Sequence, residues 1–415
     1  MNDLHHDAKT IINNVLAENM PQAAVVKALQ DYNFGSRVHI VAIGKAAWTM
    51  AQAASEFLGE QVAKGIVITK YDHSQGEIPR VAVFEAGHPV PDANTVRATQ
   101  AVLQMVANLT ADDEVLFLVS GGGSALFEAP QERVSLDELA ALTGQMLASG
   151  ADIVEMNMIR KRLSRVKAGR FAEICAPAKI FAVVLSDVLG DRLDTIASGP
   201  AAPDRSTAAD AMAVVAKYHL QLTERRQDLL KQETPKQLDN VETVITGSVR
   251  SLCESAAKSA KTLGYNPYIL TTTLDCVAAE AGRFLASIAS DTTNGRTAFT
   301  RPAAIIAGGE TVVNLKGTGK GGRNQELALS AITGISGLTD VVLFALGSDG
   351  TDGPTDAAGG IVDGDTLSRL QEKGLNVDEI LNNNDAYHGL QAIDGLIMTG
   401  PTGTNVNDVA VVLIK

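Results

Sequence analysis

The sequence predicts an α/β protein of two domains whose sheets are largely parallel. Short runs of β-branched and other apolar residues recur along the chain. Each ends in a Gly-rich polar turn, and a segment of helical period follows. Continuous apolar strands alternating with helices indicate sheets covered on both faces. A length of 415 residues exceeds one ordinary domain. Aromatic residues are only 4% of the chain, so Val, Ile, Leu and Ala must fill the interior.

The first such run is Val38–Ile43, which leads into Gly44-Lys45. Residues 66–69 lead into Lys70-Tyr71-Asp72, and 81–84 into Ala86-Gly87-His88-Pro89. Residues 115–119 end in Ser120-Gly121-Gly122-Gly123-Ser124, and 181–185 in Ser186-Asp187. Further on, 241–245 and 303–306 read as strands, the latter before Gly308-Gly309-Glu310. Residues 311–315 read as strand-like and 324–332 as helix, and 341–346 lead into Gly347-Ser348-Asp349-Gly350. In such sheets ligands bind beyond the carboxyl ends of the strands, which is where these Gly, Ser, Asp, Lys and Glu residues cluster. The polar stretch 222–240, with Pro235, reads as a linker, giving domains of 1–235 and 236–415.

The formal net charge of −13 argues against nucleic acid and anionic membrane as partners. An anionic ligand would need positive charge gathered locally. Cys175, Cys253 and Cys276 are widely spaced and odd in number, so they read as thiols in a reducing compartment. The N-terminus has no cationic start followed by an apolar stretch, and no apolar run reaches spanning length. The expectation is a cytoplasmic protein. A homo-oligomer is compatible with this composition.

Ser120, Gly121, Gly122, Gly123 and Ser124 follow a buried strand, and three glycines let several N–H groups face one anion. Residues 317–322 match G-x-G-x-x-G, but they lie late in the chain, and Lys320 with Arg323 suits a phosphate clamp better. No Walker A sequence occurs. Asp187 and Asp191 form one acidic cluster after a strand, and Asp349, Asp352 and Asp356 form another. Mg²⁺ needs one or two such carboxylates plus phosphate oxygens. In the basic run 160–170, Lys161 and Arg162 read as a solvated face, while Arg160 or Lys167 could reach an anion. Lys45, directly after a strand and Gly44, is the better cation. His88, before Pro89, reads as a turn residue.

Leu118-Val-Ser-Gly-Gly-Gly-Ser-Ala-Leu126, Leu185-Ser-Asp-Val-Leu-Gly-Asp191, Ala197-Ser-Gly-Pro200 and Gly308-Gly-Glu310 occur in this order. They are followed by Gly321-Gly-Arg-Asn-Gln-Glu326, Gly347-Ser-Asp-Gly-Thr-Asp-Gly-Pro354 and Thr399-Gly-Pro-Thr-Gly-Thr-Asn-Val-Asn-Asp408. Together they resemble the glycerate 2-kinase family, over nearly the whole chain. The resemblance implies a Rossmann-like N-terminal domain, a C-terminal MOFRL domain and an active site in the cleft between them. It implies ATP-dependent phosphorylation of D-glycerate at the 2-hydroxyl, with Mg²⁺. Lys45 and Arg323 correspond to the family's active-site cations. One departure is Ala168-Gly169, where the family commonly has Gly-Gly. Asp187 is the first choice for the base that accepts the hydroxyl proton, and Asp349 the second. Asp187 and Asp191 are the expected metal ligands. Ser120–Ser124, Glu310, Lys320, Asn324 and Asp349 are expected at the nucleotide and substrate. Some family members carry the label hydroxypyruvate reductase, so an NAD(P)H-dependent reductase using 317–322 and Asp340 is the alternative.

Overall fold

The computed structural model describes residues 3–186, 190 and 192–415. Two compact units divide the chain: Ala24–Thr246, and Met1–Ala23 together with Gly247–Lys415.

In the unit Ala24–Thr246, β1 (Val38–Ile43), β2 (Val62–Lys70), β3 (Val81–Ala86), β4 (Glu114–Val119), β5 (Lys179–Leu185) and β6 (Val241–Gly247) form a six-stranded sheet. The order is β3-β2-β1-β4-β5-β6, that of doubly wound α/β sheets. The pairings β1 with β2, β1 with β4, β2 with β3 and β4 with β5 are all parallel. Val41, Ile43, Ile66, Ile68, Val115 and Phe117 form part of the core, with Phe127 and Phe171 closing over Phe117. The helix Ala93–Val106 begins where Asp92 accepts from Thr95 N at 2.9 Å, and Thr95 returns a bond to Asp92 N. The helices Leu136–Ala148, Ile153–Arg162, Ala208–Lys217 and Glu224–Leu230 share a separate apolar cluster around Leu142, Met146, Ile159 and Leu230.

The second unit holds β7 (Asn266–Leu274), β8 (Ala303–Gly309), β9 (Val341–Gly347), β10 (Gly359–Asp363), β11 (Leu396–Ile397) and β12 (Asp408–Ile414) in the order β11-β10-β9-β12-β8-β7. Here the expectation of a largely parallel sheet needs correction at the level of pairing. Only β7 with β8 is parallel among the described ladders; β12 lies antiparallel between β8 and β9, and β10 is antiparallel to β9 and β11. An apolar run reports burial on both faces, not the direction of its neighbours. The helices Ala278–Thr293 and Arg323–Ile335 pack against each other, and Val249–Thr262 lies on β7 and β8.

Three further expectations change. Residues 311–315 are not a strand: Val312 makes a single bridge to Val277, and Leu315 is 81% exposed. The stretch 222–240 is no linker. It contains the helix Glu224–Leu230, Thr234 donates to Asp204 at 2.8 Å, and Asn240 donates to the carbonyls of Ala172 and Ala178. The compact units therefore part at 23/24 and at 246/247 rather than at 235/236, with residues 1–23 grouped with the second unit and β6 pairing in the first sheet. Lys161 and Arg162 are not solvated either. They are 4% and 0% exposed, and the Asp204 carboxylate lies 3.3 Å from Lys161 and 3.7 Å from Arg162.

Candidate active site

In Ala24–Thr246 the strand order reverses between β1 and β4, the place in such sheets where ligands bind. Gly44 and Ser120 occupy those two strand ends. Gly44 adopts φ +114°, and a Cβ there would lie 2.3 Å from Ser120 Oγ, so only glycine fits. The loops are stitched together: Lys45 N donates to Gly121 O at 2.9 Å, and Ser120 N to Ile43 O at 3.0 Å. The Ser120 hydroxyl accepts from Ala46 N and donates to Ile43 O, and the residue is 4% exposed. Lys45 is exposed, and its Cγ flanks Gly122, as does the His88 ring.

Ser124 points its Oγ at Ser198 Oγ, 2.8 Å away. Its carbonyl accepts from Lys167 Nζ at 2.5 Å, and Lys167 pairs with Glu128 at 3.2 Å. Lys167 is fully buried. Burial pulls its pKa down, against the pull of Glu128. It therefore braces the glycine turn from beneath, and the sequence could not show this because Glu128 and Ser124 lie far away in the chain. Asp187 and Asp191 lie outside the described residues.

In the other unit, β8 delivers Glu310 and β12 opens with Asp408. Arg323, the first residue of the helix Arg323–Ile335, bridges them. Its Nη1 donates to Glu310 Oε1 at 2.8 Å; its Nε and Nη2 donate to Asp408 at 2.5 and 3.1 Å. Burial opposes the charge on Arg323, but the bonds and charge of Asp408, with the charges of Glu310 and Asp352, together outweigh it and hold the guanidinium ionised. Burial raises the Asp408 pKa, with Arg323 pulling the other way. Asp352, 3% exposed, accepts from Asn324 N at 3.2 Å and Gln325 N at 2.8 Å, so it caps that helix. Burial pushes its pKa up to about 6 against these bonds, and the Asp408 charge adds to the rise. Asn324 is 2% exposed and donates its side chain to Asp352.

A cavity of about 720 Å³ opens beside these groups, lined among others by Arg323, Asp349, Asp352, Glu326 and the turn 317–322. That volume suits a ligand of nucleotide size. Asp349 lines it while accepting from Thr351 N at 3.0 Å. Lys320 instead lies over the Tyr387 ring, 4.2 Å from its centroid. Four of the six N–H groups of the G-x-G-x-x-G turn are already engaged. Gly317 N binds Asn384 Oδ1, Thr318 N binds Asn383 Oδ1, Gly319 N binds Asn383 O, and Lys320 N binds Asp385 Oδ1. A pyrophosphate would find those donors taken. Asp340 precedes β9 at its amino end, away from this turn, and pairs with Arg301 at 3.5 Å.

Two family models match this sequence: a domain of unknown function (DUF4147) over residues 7–231, and the MOFRL family over residues 303–408. A D-glycerate 2-kinase of Thermotoga maritima is 53% identical over 404 residues, 97% of each chain. The chain belongs to the glycerate 2-kinase family. A glycerate 2-kinase of Pyrococcus horikoshii is 40% identical, over 93% of this chain and 89% of that one. A crystal structure of glycerate kinase from Thermotoga maritima superposes with a TM-score of 0.97 at 53% identity, covering 99% of both chains.

Sequence reasoning singled out Lys45, Arg323, Glu310 and Asp349, and the structure sets each on a strand end or cavity wall. It did not give Asp408 or Asp352 their parts. Asp408 closes the last family motif and begins an apolar run, which is the signal that could have marked it. Among the described residues no group of three or more His, Cys, Asp or Glu side chains forms a metal cage, and no helix is long and apolar enough to cross a membrane.

Proposed function

We infer that this protein transfers the γ-phosphoryl group of ATP to the 2-hydroxyl of D-glycerate, giving 2-phospho-D-glycerate and ADP. The observation that carries this is 53% identity to a D-glycerate 2-kinase along 97% of both chains. Phosphoryl transfer asks the protein for positioning and charge stabilisation rather than covalent chemistry. The site residues supply both. Lys45 presents an exposed ammonium beside the Gly121–Gly123 turn, and Arg323 presents a guanidinium held by Asp408 and Glu310.

Mg²⁺ accompanies ATP in this reading, and the donor set fits it: Asp349 on the cavity wall offers one carboxylate, enough for an ion held chiefly by phosphate oxygens and water. Asp187 and Asp191 are the proposed partners from the sequence. When bound, the ion would neutralise phosphate charge. Asp187 takes the proton from the 2-hydroxyl, with Asp349 as the other candidate. Asp352 and Asp408 have other duties, being committed to helix N–H groups and to Arg323.

A coupled assay with ATP and D-glycerate, followed by phosphorus NMR of the product, tests this reading. The expected product is the 2-phosphate. A 3-phosphate product would overturn the regiochemistry, and NADH oxidation with hydroxypyruvate outpacing phosphorylation would overturn the kinase assignment.

A further inference from the structure

In a chain of net charge −13, four basic side chains gather at the carboxyl ends of β1, β2 and β3. A Cβ on Gly122 would stand 2.9 Å from His88 Nε2 and 3.4 Å from Lys45 Cγ, so these two side chains flank one backbone position. Lys70 ends β2, opposite Ala86 of β3, which places it beside the chain leading to His88. His73 N donates to Lys70 O at 3.1 Å, folding His73 back over that strand end. Burial, then the charges of Lys45, Lys70 and His73, lower the His88 pKa. Burial followed by Lys70 lowers that of His73. Few acids answer these charges. Glu85 spends Oε1 on His73 N and Ser74 N, Asp72 is exposed, and Asp92 is engaged by Tyr71 and Thr95.

The turn between these side chains has donors to spare. Gly121 O and Gly122 O accept from Lys45 N and Ala125 N, yet among the described residues the N–H groups of Gly121 and Gly122 have no protein acceptor. Gly122 sits at φ +83°, the left-handed half of an anion-binding nest. Two lysine cations and two imidazoles on one side of a turn, with unspent N–H groups within it, complement an oxyanion.

We propose that Lys45, Lys70, His73 and His88, with the Gly121 and Gly122 N–H groups, bind one oxyanion group of the substrates. This rests on the kinase reading and extends it to Lys70, His73 and His88, which that reading does not use. The oxyanion is either the carboxylate of the hydroxy acid or a phosphate of the nucleotide. Its arrival reverses the local field at His88, so the neutral ring takes up a proton on binding.

Calorimetry near pH 7 in two buffers of different ionisation enthalpy, with D-glycerate alone and with ATP alone, tests this. A fraction of a proton should be taken up with one ligand and not by His88→Gln. Uptake with D-glycerate assigns the carboxylate, and uptake with ATP assigns the phosphate. Lys70→Ala should raise KM for that same ligand about tenfold while kcat changes less than about twofold. Absence of proton uptake with both ligands in an enzyme that turns over would overturn the proposal, as would unchanged KM values in Lys70→Ala and His73→Asn. Binding needs no turnover, so loss of the kinase reading alone would leave this test standing, with inorganic phosphate as the probe.

Discussion

Asp408 grips Arg323 through two parallel bonds, at 2.5 and 3.1 Å, while Glu310 takes a third N–H at 2.8 Å. The two carboxylates are not equivalent. The Asp408 side chain is 9% exposed at the head of a central strand, and that of Glu310 is 43% exposed. Asp408 is the fixed half of the pair and Glu310 the half that can let go.

Asp408→Asn should therefore be costly. Removing the buried partner of a pair whose guanidinium is 32% exposed destabilises by about 1–3 kcal/mol, and it frees Arg323 to wander. Glu310→Gln, removing a partly exposed partner, should cost under about 1 kcal/mol. Urea melts of both variants read the difference, and kcat should fall more in Asp408→Asn.

Asp352 predicts a pH dependence. Its native pKa, about 6, lies above the ordinary 3.8, so the folded state holds this proton more tightly than the unfolded chain. Stability attached to the group is complete below 3.8 and is lost as pH rises through about 6. A rise of about two units corresponds to about 3 kcal/mol. Asp352→Asn should flatten the stability profile in that window relative to wild type, and equilibrium unfolding from pH 4 to 7 measures it.

Gly44→Ala should be poorly tolerated, since its φ of +114° is unfavourable for alanine and the new methyl would strike Ser120. A loss of about 2 kcal/mol or more is expected, with activity falling because Lys45 and Gly121 are joined through this corner. Thermal melts together with kcat check both effects. A Gly144→Ala control, inside a helix with open space around its α-carbon, should leave kcat unchanged and raise stability by about 0.5–1 kcal/mol.

Lys45→Ala and Arg323→Ala should each lower kcat by about 10² or more, with smaller changes in KM. Asp187→Asn should abolish turnover while the protein stays folded. If that variant retains activity, Asp349→Asn becomes the one expected to lose it. Steady-state kinetics on folded variants decides between the two bases.

Much of this was legible because strand ends announce themselves. Val38–Ile43 is observed with the expected bounds, and residues 115–119 and 181–185 grow only by residues at the amino end. β7 escaped because it is a half-exposed edge, with Pro267 and a threonine run in place of an apolar stretch. β12 is fully buried and apolar, but no Gly turn or helix follows it, so the alternation that revealed the other strands had nothing to match. The basic run was misread for a different reason. Lys161 and Arg162 look solvated, and Lys167 looks free to reach an anion, until Asp204 and Glu128, some forty residues away, are brought against them.

The last seven residues of one strand also set a timetable. β12 sits in the middle of its sheet, between β8 and β9, and Lys415 just beyond it reaches Asp7 of the first helix at 3.0 Å. On the ribosome, Ala24–Thr246 is a continuous stretch whose sheet can close once it has emerged. The other unit holds its first helix in waiting until β12 has been made. Loss of β12 would therefore do more than shorten the chain. It would leave β8 and β9 as two unjoined edges, and the nascent chain would meet its chaperones in that state.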